Sequence, residues 1–386
     1  MVTGLGVQSS LGNASESWLA LIERKSGIKS IKGLEGFDKL PCNVGGVVSE
    51  FVTGPRHIAF GLSAAEEALK SSEWDCNLGI TGVSVGSGIG SISEIHSTAQ
   101  KFDSGGYRKV SPFFVPRILC NMAGGHISIK YKCTGPIHSA STACATGLHC
   151  IGDAMRFIQL GQATTMIAGG TESCIDPLSF AGFIQAKSLC TNYNDFPAKA
   201  SRPFDSERSG FVIAEGAAIV ILEELEQALN RKASIYAEVV GYGLSADAYH
   251  ITAPNPNGSG AMNSMLRALK DAEIRAEEVS YINAHATSTI IGDAAEAKAI
   301  SNIFPKSTRV SSTKGSTGHL LGGAGAIEAI FTILAIQNGE IPPNLNLDSP
   351  AYDLNFQTGS YDIPIALCNS FGFGGTNSTL CFKRYP

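Results

Sequence analysis

The chain has 386 residues, of which 44% are hydrophobic and 16% charged, and its formal net charge is −5. This length predicts two domains or one large α/β unit with a substantial core. The acidic balance argues against general nucleic-acid binding. No run approaches 18 consecutive apolar residues, so we expect no membrane span. The ten cysteines show no C-x-x-C motif and no paired Cys/His spacing, so neither a zinc site nor a secreted disulfide framework is predicted and a reducing compartment fits best.

Strands and helices alternate along the chain. The chain opens on MVTGLG, which predicts a short strand and a turn, and we see no charged or Arg-rich targeting leader. Apolar periodicity predicts helices over 16–23, 58–70, 117–131, 223–231, 262–272, 294–304 and 322–337. It predicts strands over 79–85, 163–170, 217–222, 235–242, 279–284, 365–369 and 378–383.

The order β-α-β-α occurs in both parts of the chain and predicts a layered α/β fold with buried sheets. No linker or low-complexity segment separates the parts. We therefore predict two packed halves, 1–234 and 235–386, although their sequence similarity is too weak to establish a repeat.

Cys144 lies at the centre of ASTACATGLHCIGDAMR, residues 140–156. A Ser/Thr-rich extended approach precedes it, and a helical apolar pattern begins a few residues later. The amino end of a helix stabilises a thiolate, so we expect the pKa of this thiol to be lowered. The alternative is a buried structural cysteine, which is the commoner role of a free cysteine.

Three further segments carry residues of catalytic type. His285 ends a strand in NAHATST, where α/β proteins often place functional groups; alternatively it is a satisfied core histidine. Lys314 and His319 lie in SSTKGSTGHLLGGAG, where the lysine is either buried and paired or merely exposed on a loop. Phe371 lies in NSFGFGGTN, whose glycines permit either a movable loop or a plain turn around a core phenylalanine.

Two glycine clusters, 4–6 and 86–90, resemble parts of a dinucleotide-binding fingerprint. Neither completes G-x-G-x-x-G with a helix and a suitably spaced acidic residue. A nicotinamide site is therefore not favoured.

Taken together, these segments resemble the β-ketoacyl-ACP synthases, the condensing enzymes of fatty-acid synthesis, over essentially the whole chain. The resemblance also includes SPFFVPR at 111–117, AGGTES at 168–173 and SRPFDSERSGFVIAEGA at 201–217. The Cys-His-His pattern is similar to that of the elongating type II branch, and the chain looks most like its mitochondrial members. The resemblance implies a thiolase-like fold, with two similar βαβαβ halves in five layers, α-β-α-β-α.

The chain departs from the family pattern at two places. The family usually has Thr-Pro after the histidine motif, whereas here Thr289 is followed by Ile290 and Ile291. This departure concerns the shape of the loop rather than the histidine. A fuller first strand before VTGLG is also absent, so we expect either a weakened first strand or a missing leader.

The resemblance implies a 3-oxoacyl-ACP synthase. Cys144 takes an acyl group from acyl-ACP, and malonyl-ACP then condenses with it, losing CO₂ to give a β-ketoacyl-ACP two carbons longer. The backbone N–H groups of Cys144 and Phe371 form the oxyanion hole, and Phe371 is also the gate. His285 and His319 stabilise the enolate, while Lys314 is a supporting charge.

The resemblance also implies surrounding groups. Glu328 pairs with the supporting lysine, and no cofactor is required beyond a structural monovalent cation, K⁺ or Na⁺, near Asn283, Glu328 and Asn369. The remaining implied positions are an acyl pocket at Ile89, Phe114 and Phe183 and an ACP dock at Lys187 and Arg202. A homodimer, whose partner helps to line the acyl tunnel, and a location in the mitochondrial matrix are expected in the same way.

Three rival functions differ in features that the sequence shows. A thiolase would use a second catalytic cysteine near the C-terminus, but Cys381 lacks those surroundings. A chain-length-factor-like partner would lack the nucleophile, whereas the motif around Cys144 is intact. A reductase would need the nicotinamide site that the glycine clusters do not complete.

Overall fold

The computed structural model describes residues 1–49, 54–75 and 79–386. Its helices are α1 (Ala14–Ile22), α2 (Arg56–Ser71), α3 (Ile92–Gly105), α4 (Phe114–Ile118), α5 (Met122–Tyr131), α6 (Thr146–Gln159), α7 (Pro177–Gln185), α8 (Leu225–Asn230), α9 (Ser259–Asp271), α10 (Ile290–Ile303), α11 (Lys314–Thr317) and α12 (Ala324–Asn338). Its strands are β1 (Val2–Gln8), β2 (Lys29–Ser30), β3 (Val44–Gly45), β4 (Thr81–Gly86), β5 (Ile137–His138), β6 (Thr165–Glu172), β7 (Gly216–Glu223), β8 (Glu238–Ala246), β9 (Tyr281–Asn283), β10 (Arg309–Ser311), β11 (Glu340–Ile341), β12 (Gly359–Ser360), β13 (Ile365–Gly372) and β14 (Thr376–Lys383).

Two five-stranded sheets form the frame of the molecule. The first has the strand order β1-β7-β6-β4-β5 and the second has the order β8-β14-β13-β9-β10. In both sheets the first two strand pairings in this order are antiparallel and the last two are parallel. The two halves therefore share one topology, a repeat that the residues alone are too diverged to show.

Helices occupy both faces of each sheet. Helices α6 and α12 lie between the sheets, where they contact each other and strands of both halves. Helices α2 and α5 cover the outer face of the first sheet, and α9 packs on the outer face of the second with α10 beside it. The five-layer α-β-α-β-α arrangement is confirmed.

Helix α12 is buried on nearly all sides because it is in the middle layer. The segment Leu321–Asn338 is long and apolar enough to cross a membrane, but 83% of it is buried inside the protein. Its composition is therefore that of a central core helix.

The first strand is stronger than expected. All seven residues of β1 are buried, and the strand pairs with β7 from Val2 to Gln8. Gly4 and Gly6 serve close packing rather than a turn, because a Cβ on either would lie 2.3 Å or less from a backbone carbonyl of α2. The expectation of a weakened first strand is therefore wrong.

The predicted helix over 117–131 is divided in two. Leu119 has extended dihedral angles (φ −71°, ψ 131°), so α4 ends at Ile118 and α5 begins at Met122. Helices α3 and α7 were not predicted from the sequence, and the two helices contact each other.

Candidate active site

Cys144 lies in a single 3-10 turn, 143–145, that leads directly into α6. The preceding residue, Ala143, has a φ of +50°, which is unfavourable for any residue except glycine. Thr146 holds this turn, because its hydroxyl accepts the Thr142 N–H (2.9 Å) and donates to the Ala143 carbonyl (2.7 Å). The strand–turn–helix geometry thus presents the sulfur at the amino end of α6.

His319 faces Cys144 from the approach to α12. Its backbone N–H donates to the Val212 carbonyl, and its carbonyl accepts from Ala214. These bonds fix the backbone on both sides of the side chain. The imidazole Nε2 lies 3.0 Å from the Cys144 sulfur, and the ring packs edge-on against Phe211 at 5.2 Å between centroids.

His285 completes the group two residues after β9. The Glu296 carboxylate on α10 accepts the N–H groups of His285 (2.9 Å) and Ala286 (2.7 Å), which holds the loop in place. The two imidazole centroids are 5.3 Å apart, and one ligand-type atom from each of Cys144, His285 and His319 lies within 4.8 Å of the others. A thiol and two imidazoles are also zinc-type ligands, but the positive charge of Lys314 acts on all three and opposes a divalent cation.

Burial sets the protonation states of the three groups. It raises the pKa of Cys144 to about 12, and Lys314 only partly opposes this effect. The expected lowering of the Cys144 pKa is therefore wrong. Burial, together with Lys314, holds the pKa values of His285 and His319 well below the ordinary value. Near neutral pH the site thus contains a neutral thiol beside neutral imidazoles.

Lys314 and Glu328 form an ion pair in the core, with each side chain 1% exposed. Burial raises the pKa of Glu328 to about 7, against the opposing effect of the lysine. Glu328 lies on α12, the helix that follows His319. The pair is close enough for the charge of Lys314 to act on all three side chains described above. Within the described residues, Glu328 Oε2 and Asn283 Oδ1 are buried without a hydrogen-bond partner.

A cavity of about 540 Å³ opens onto the cysteine. Ile89, Phe183 and Phe371 line it, as the resemblance implies, and Lys187, Ile290 and Ile291 are exposed residues that also line it. Phe114 does not line this cavity. It lies in α4, whose residues are all exposed or half-buried, so its assignment to the acyl pocket stays a prediction.

Phe371 is half-buried near the end of β13, and its ring lies 5.7 Å from that of His285. The hairpin turn after it contains Gly374 (φ +87°) and Gly375 (φ +72°), whose left-handed backbone favours glycine. At Gly372 a Cβ would lie 2.7 Å from the Thr142 carbonyl. The glycine-rich loop can therefore lie directly against the cysteine turn.

Arg202 is not available to an acidic partner. It is 6% exposed, and its guanidinium donates to Asp205 (2.9 Å), Tyr193 (3.0 Å) and Asp348 (3.1 Å). The assignment of Arg202 to the ACP dock is wrong, since the side chain is a structural crosslink. Lys187, by contrast, is exposed.

Glu172 was not identified from the sequence. Its buried carboxylate accepts hydrogen bonds from the Ser87 hydroxyl (2.7 Å) and from the backbone N–H groups of Gly88, Gly90 and Gly322 (3.0–3.1 Å). It thereby joins the cavity wall to the start of α12. Its position after AGGT offered a signal, because an acidic residue that ends an apolar strand requires buried partners.

Two family models match this chain: the beta-ketoacyl synthase N-terminal domain over residues 1–228 and the C-terminal domain over 236–348. A putative mitochondrial 3-oxoacyl-[acyl-carrier-protein] synthase of Schizosaccharomyces pombe is 47% identical, covering 100% of this chain and 99% of the relative. The mitochondrial 3-oxoacyl-[acyl-carrier-protein] synthase of Arabidopsis thaliana is 46% identical, covering 99% and 92%.

Solved structures show the same fold. A ketosynthase in complex with its type II PKS acyl-carrier protein superposes with a TM-score of 0.95 at 32% identity, covering 100% of this chain and 98% of that one. A beta-ketoacyl synthase from Burkholderia phymatum superposes with a TM-score of 0.93 at 31% identity, covering 100% and 99%. The chain belongs to the β-ketoacyl synthase family of acyltransferases.

Proposed function

We propose that this chain is an elongating 3-oxoacyl-ACP synthase that joins an acyl group to a two-carbon unit from malonyl-ACP. One observation carries the proposal: the Cys144 sulfur lies 3.0 Å from His319 Nε2, with the His285 ring beside them, on a cavity of about 540 Å³. A nucleophile, a base and a second imidazole at one cavity are what two-step acyl transfer needs.

In the first step His319 takes the Cys144 proton as the sulfur attacks the acyl-ACP thioester. The new carbon–sulfur bond forms at Cys144, the bond to the carrier sulfur breaks, and the proton leaves with the carrier thiol. A neutral imidazole can accept that proton, and burial keeps His319 neutral. The backbone N–H groups of Cys144 and Phe371 serve as donors to the oxyanion.

In the second step malonyl-ACP loses CO₂. The electron pair of the broken carbon–carbon bond forms an enolate, whose oxygen accepts hydrogen bonds from His285 and His319. The nucleophilic carbon attacks the acyl carbonyl on Cys144, the carbon–sulfur bond there breaks, and the released thiolate takes up one proton from solvent. Departure of CO₂ drives the condensation, and no cofactor takes part.

Intact-mass spectrometry tests the assignment most directly. Wild-type protein and Cys144→Ala are incubated with acyl-ACPs of several chain lengths, then with malonyl-ACP. We expect one acyl mass on the wild type, none on the variant, and discharge on addition of malonyl-ACP. Folded wild-type protein that takes up no acyl group would instead indicate an inactive partner subunit.

Acyl carrier protein is the proposed partner. Carrier proteins are acidic, so a basic residue at the entrance favours their docking. Lys187 is exposed and lines the cavity on the segment after α7. In Lys187→Glu we expect a higher KM for acyl-ACP with kcat unchanged, and the same change at the exposed Lys199 provides the control.

A structural monovalent cation fits part of the expected site. The orphaned oxygens Asn283 Oδ1 and Glu328 Oε2 are hard, buried ligands. Asn369 fits less well, because its Oδ1 already accepts the Thr379 hydroxyl (2.9 Å) and its amide donates to Glu296 (3.0 Å). A cation held by the first two residues would balance buried negative charge beside Lys314, and thermal unfolding in K⁺, Na⁺ and a bulky organic cation would test for it.

A homodimer is the proposed assembly. The edge strand β5 pairs only with β4 among the described strands, and the segment from α3 to β5 exposes many large apolar side chains. These are Phe102, Tyr107, Phe113, Val115, Leu119, Ile129 and Ile137, each 40–79% exposed. Such a face beside an open sheet edge suits a second copy of the chain. Light scattering should give a dimer mass, and Ile137→Lys should lower it.

The proposed location is the mitochondrial matrix. The support is that the relatives from Schizosaccharomyces pombe and Arabidopsis thaliana are both named mitochondrial. Fractionation of the source cells would test it, and recovery of the native protein from another compartment would contradict it.

A further inference from the structure

We propose that His149 is a positioning residue that holds the Cys144 turn in its reactive geometry through the Thr142 hydroxyl. The inference rests on the proposed function for its kinetic consequence. The structural coupling itself stands on contacts that the catalytic step does not use.

The turn before Cys144 needs an external restraint. Ala143 has a φ of +50°, and Thr142 has the irregular dihedral angles φ −128° and ψ 45°. Such conformations are disfavoured for a residue with a side chain, so they persist only where the surroundings impose them.

Two residues on one face of α6 supply that restraint. Thr146 binds the backbone of the turn, as described above. His149 is three residues further along the helix and binds the side chain of Thr142, since His149 Nδ1 lies 2.6 Å from the Thr142 hydroxyl. Residues three apart on a helix lie side by side. The turn is therefore held at both its backbone and its side chain.

The second half of the protein fixes the His149 ring. His149 is 8% exposed, and its ring packs edge-on against Tyr242 of β8 at 6.3 Å between centroids. The Tyr242 hydroxyl donates to Asp153 (3.1 Å). Burial lowers the pKa of His149, which keeps the ring neutral.

Thr142 also lies against the loop that carries Phe371. A Cβ on Gly372, the residue after Phe371, would lie 2.7 Å from the Thr142 carbonyl. Displacing Thr142 would move both the nucleophile and the loop against it.

Counted from the helix start, the position in α12 that corresponds to His149 is Ile327, so the restraint belongs to the half that carries the nucleophile.

A double-mutant cycle tests the coupling. Thr142→Val removes the hydroxyl without changing the shape, and His149→Leu removes its partner. We expect each variant to lower kcat for acyl transfer by about tenfold, because small displacements of a reacting group are costly, with KM within about twofold of wild type. The double variant should fall no further than the worse single one.

Two conservative variants provide the controls. Thr142→Ser keeps the hydroxyl, and His149→Asn places an amide near the Nδ1 position, so both should recover most of the activity. Multiplying losses in the double variant, or a Thr142→Ser variant as slow as Thr142→Val, would overturn the proposal. If His149→Leu does not fold, the Val/Ser pair at position 142 decides alone.

Alkylation of Cys144 by iodoacetamide, followed by peptide mass spectrometry, provides a readout independent of the proposed reaction. We expect a changed alkylation rate in Thr142→Val and a wild-type rate in Thr142→Ser. Wild-type protein that is alkylated normally but transfers no acyl group would defeat the proposed function and leave the positioning role standing. Equal alkylation rates in the two variants would defeat the positioning role.

Discussion

The two halves of the molecule share one strand order but carry different chemistry at corresponding places. In the first half, β5 leads to the turn of Cys144 and then to α6. In the second half, β10 leads to the loop of His319 and then to α12. The nucleophile and its base therefore occupy equivalent positions of a repeated topology.

Close packing of α6 and α12 brings these positions together. A Cβ on Gly147 would lie 2.7 Å from the backbone nitrogen of Ala326, and one on Gly325 would lie 3.0 Å from that of Leu148. The small residues after Cys144 thus serve contact between the helices. The repeated fold thus sets the distance between the reacting groups, while the residues at the helix starts decide their roles.

The two central helices also differ in buried charge. Counted from the helix start, Glu328 of α12 corresponds to Cys150 of α6, and only the former pairs with a buried lysine. Lys314→Met should lower the free energy of unfolding by about 3–5 kcal/mol at pH 8, because it leaves a buried carboxylate unpaired. Urea denaturation measures the loss, and Cys150→Ala should cost less.

The pH dependence of that loss has a definite sign. The pKa of Glu328 is already raised to about 7, and removing the lysine raises it further. Above about pH 4.3, the ordinary pKa of a glutamate, Glu328 is therefore more often protonated in the native state than in the unfolded state. The free energy of unfolding of the variant thus falls as pH rises from about 4.3 to the raised pKa of Glu328. Lys314→Met/Glu328→Leu should recover stability and lose the added pH dependence; a double variant as unstable as the single one would contradict this account.

The two histidines should differ kinetically. Removing the imidazole in His285→Asn should leave acylation of Cys144 nearly unchanged but slow condensation by about 10²–10³-fold, the usual cost of one lost donor to a developing oxyanion. Single-turnover mass spectrometry separates the two steps. An equal loss in both would mean that His285 also serves the nucleophile.

Because the Cys144 thiol in the first half of the molecule is neutral, its reaction rate should depend on pH. A thiol with an ordinary pKa is half ionised at about pH 8.5, and its reaction rate levels off above that pH. Burial instead raises the pKa of Cys144 to about 12. Its alkylation rate should therefore rise by about tenfold per pH unit from pH 7 to 10, since the thiolate is the reactive form. The urea-unfolded protein is the control, and a plateau below pH 9 in the folded protein would show a lowered pKa instead.

Much of the fold and the central groups could be predicted because local patterns determine them. Local patterns indicated α12 and the strands of the two main sheets except β5 and β10, and the motifs marked Cys144 and the two histidines. The burial of Arg202 depended on contacts distant in sequence, because this basic side chain is free until Asp348 folds against it. Phe114 has the apolar character of a pocket residue, but it does not line the cavity.

A proline substitution at the start of α10 should have the smallest effect on stability, and a local one. Ile290 is the first residue of this helix, it is 63% exposed, and Thr289 before it is extended (φ −95°, ψ 145°). That is the backbone which proline prefers before and at the first helical position. Ile290→Pro should therefore raise the free energy of unfolding by about 0.4–1 kcal/mol, chiefly by restricting the unfolded chain.

Ile291→Pro provides the matched control, because it places proline after a residue that is already helical and should destabilise the protein. Urea denaturation of both variants, with acylation of Cys144 as a second readout, measures the difference. Since His285 is held by Glu296 rather than by the residue at position 290, neither change should alter the acylation rate by more than about twofold. A slower reaction in Ile290→Pro would show that the isoleucine itself shapes the entrance that it lines.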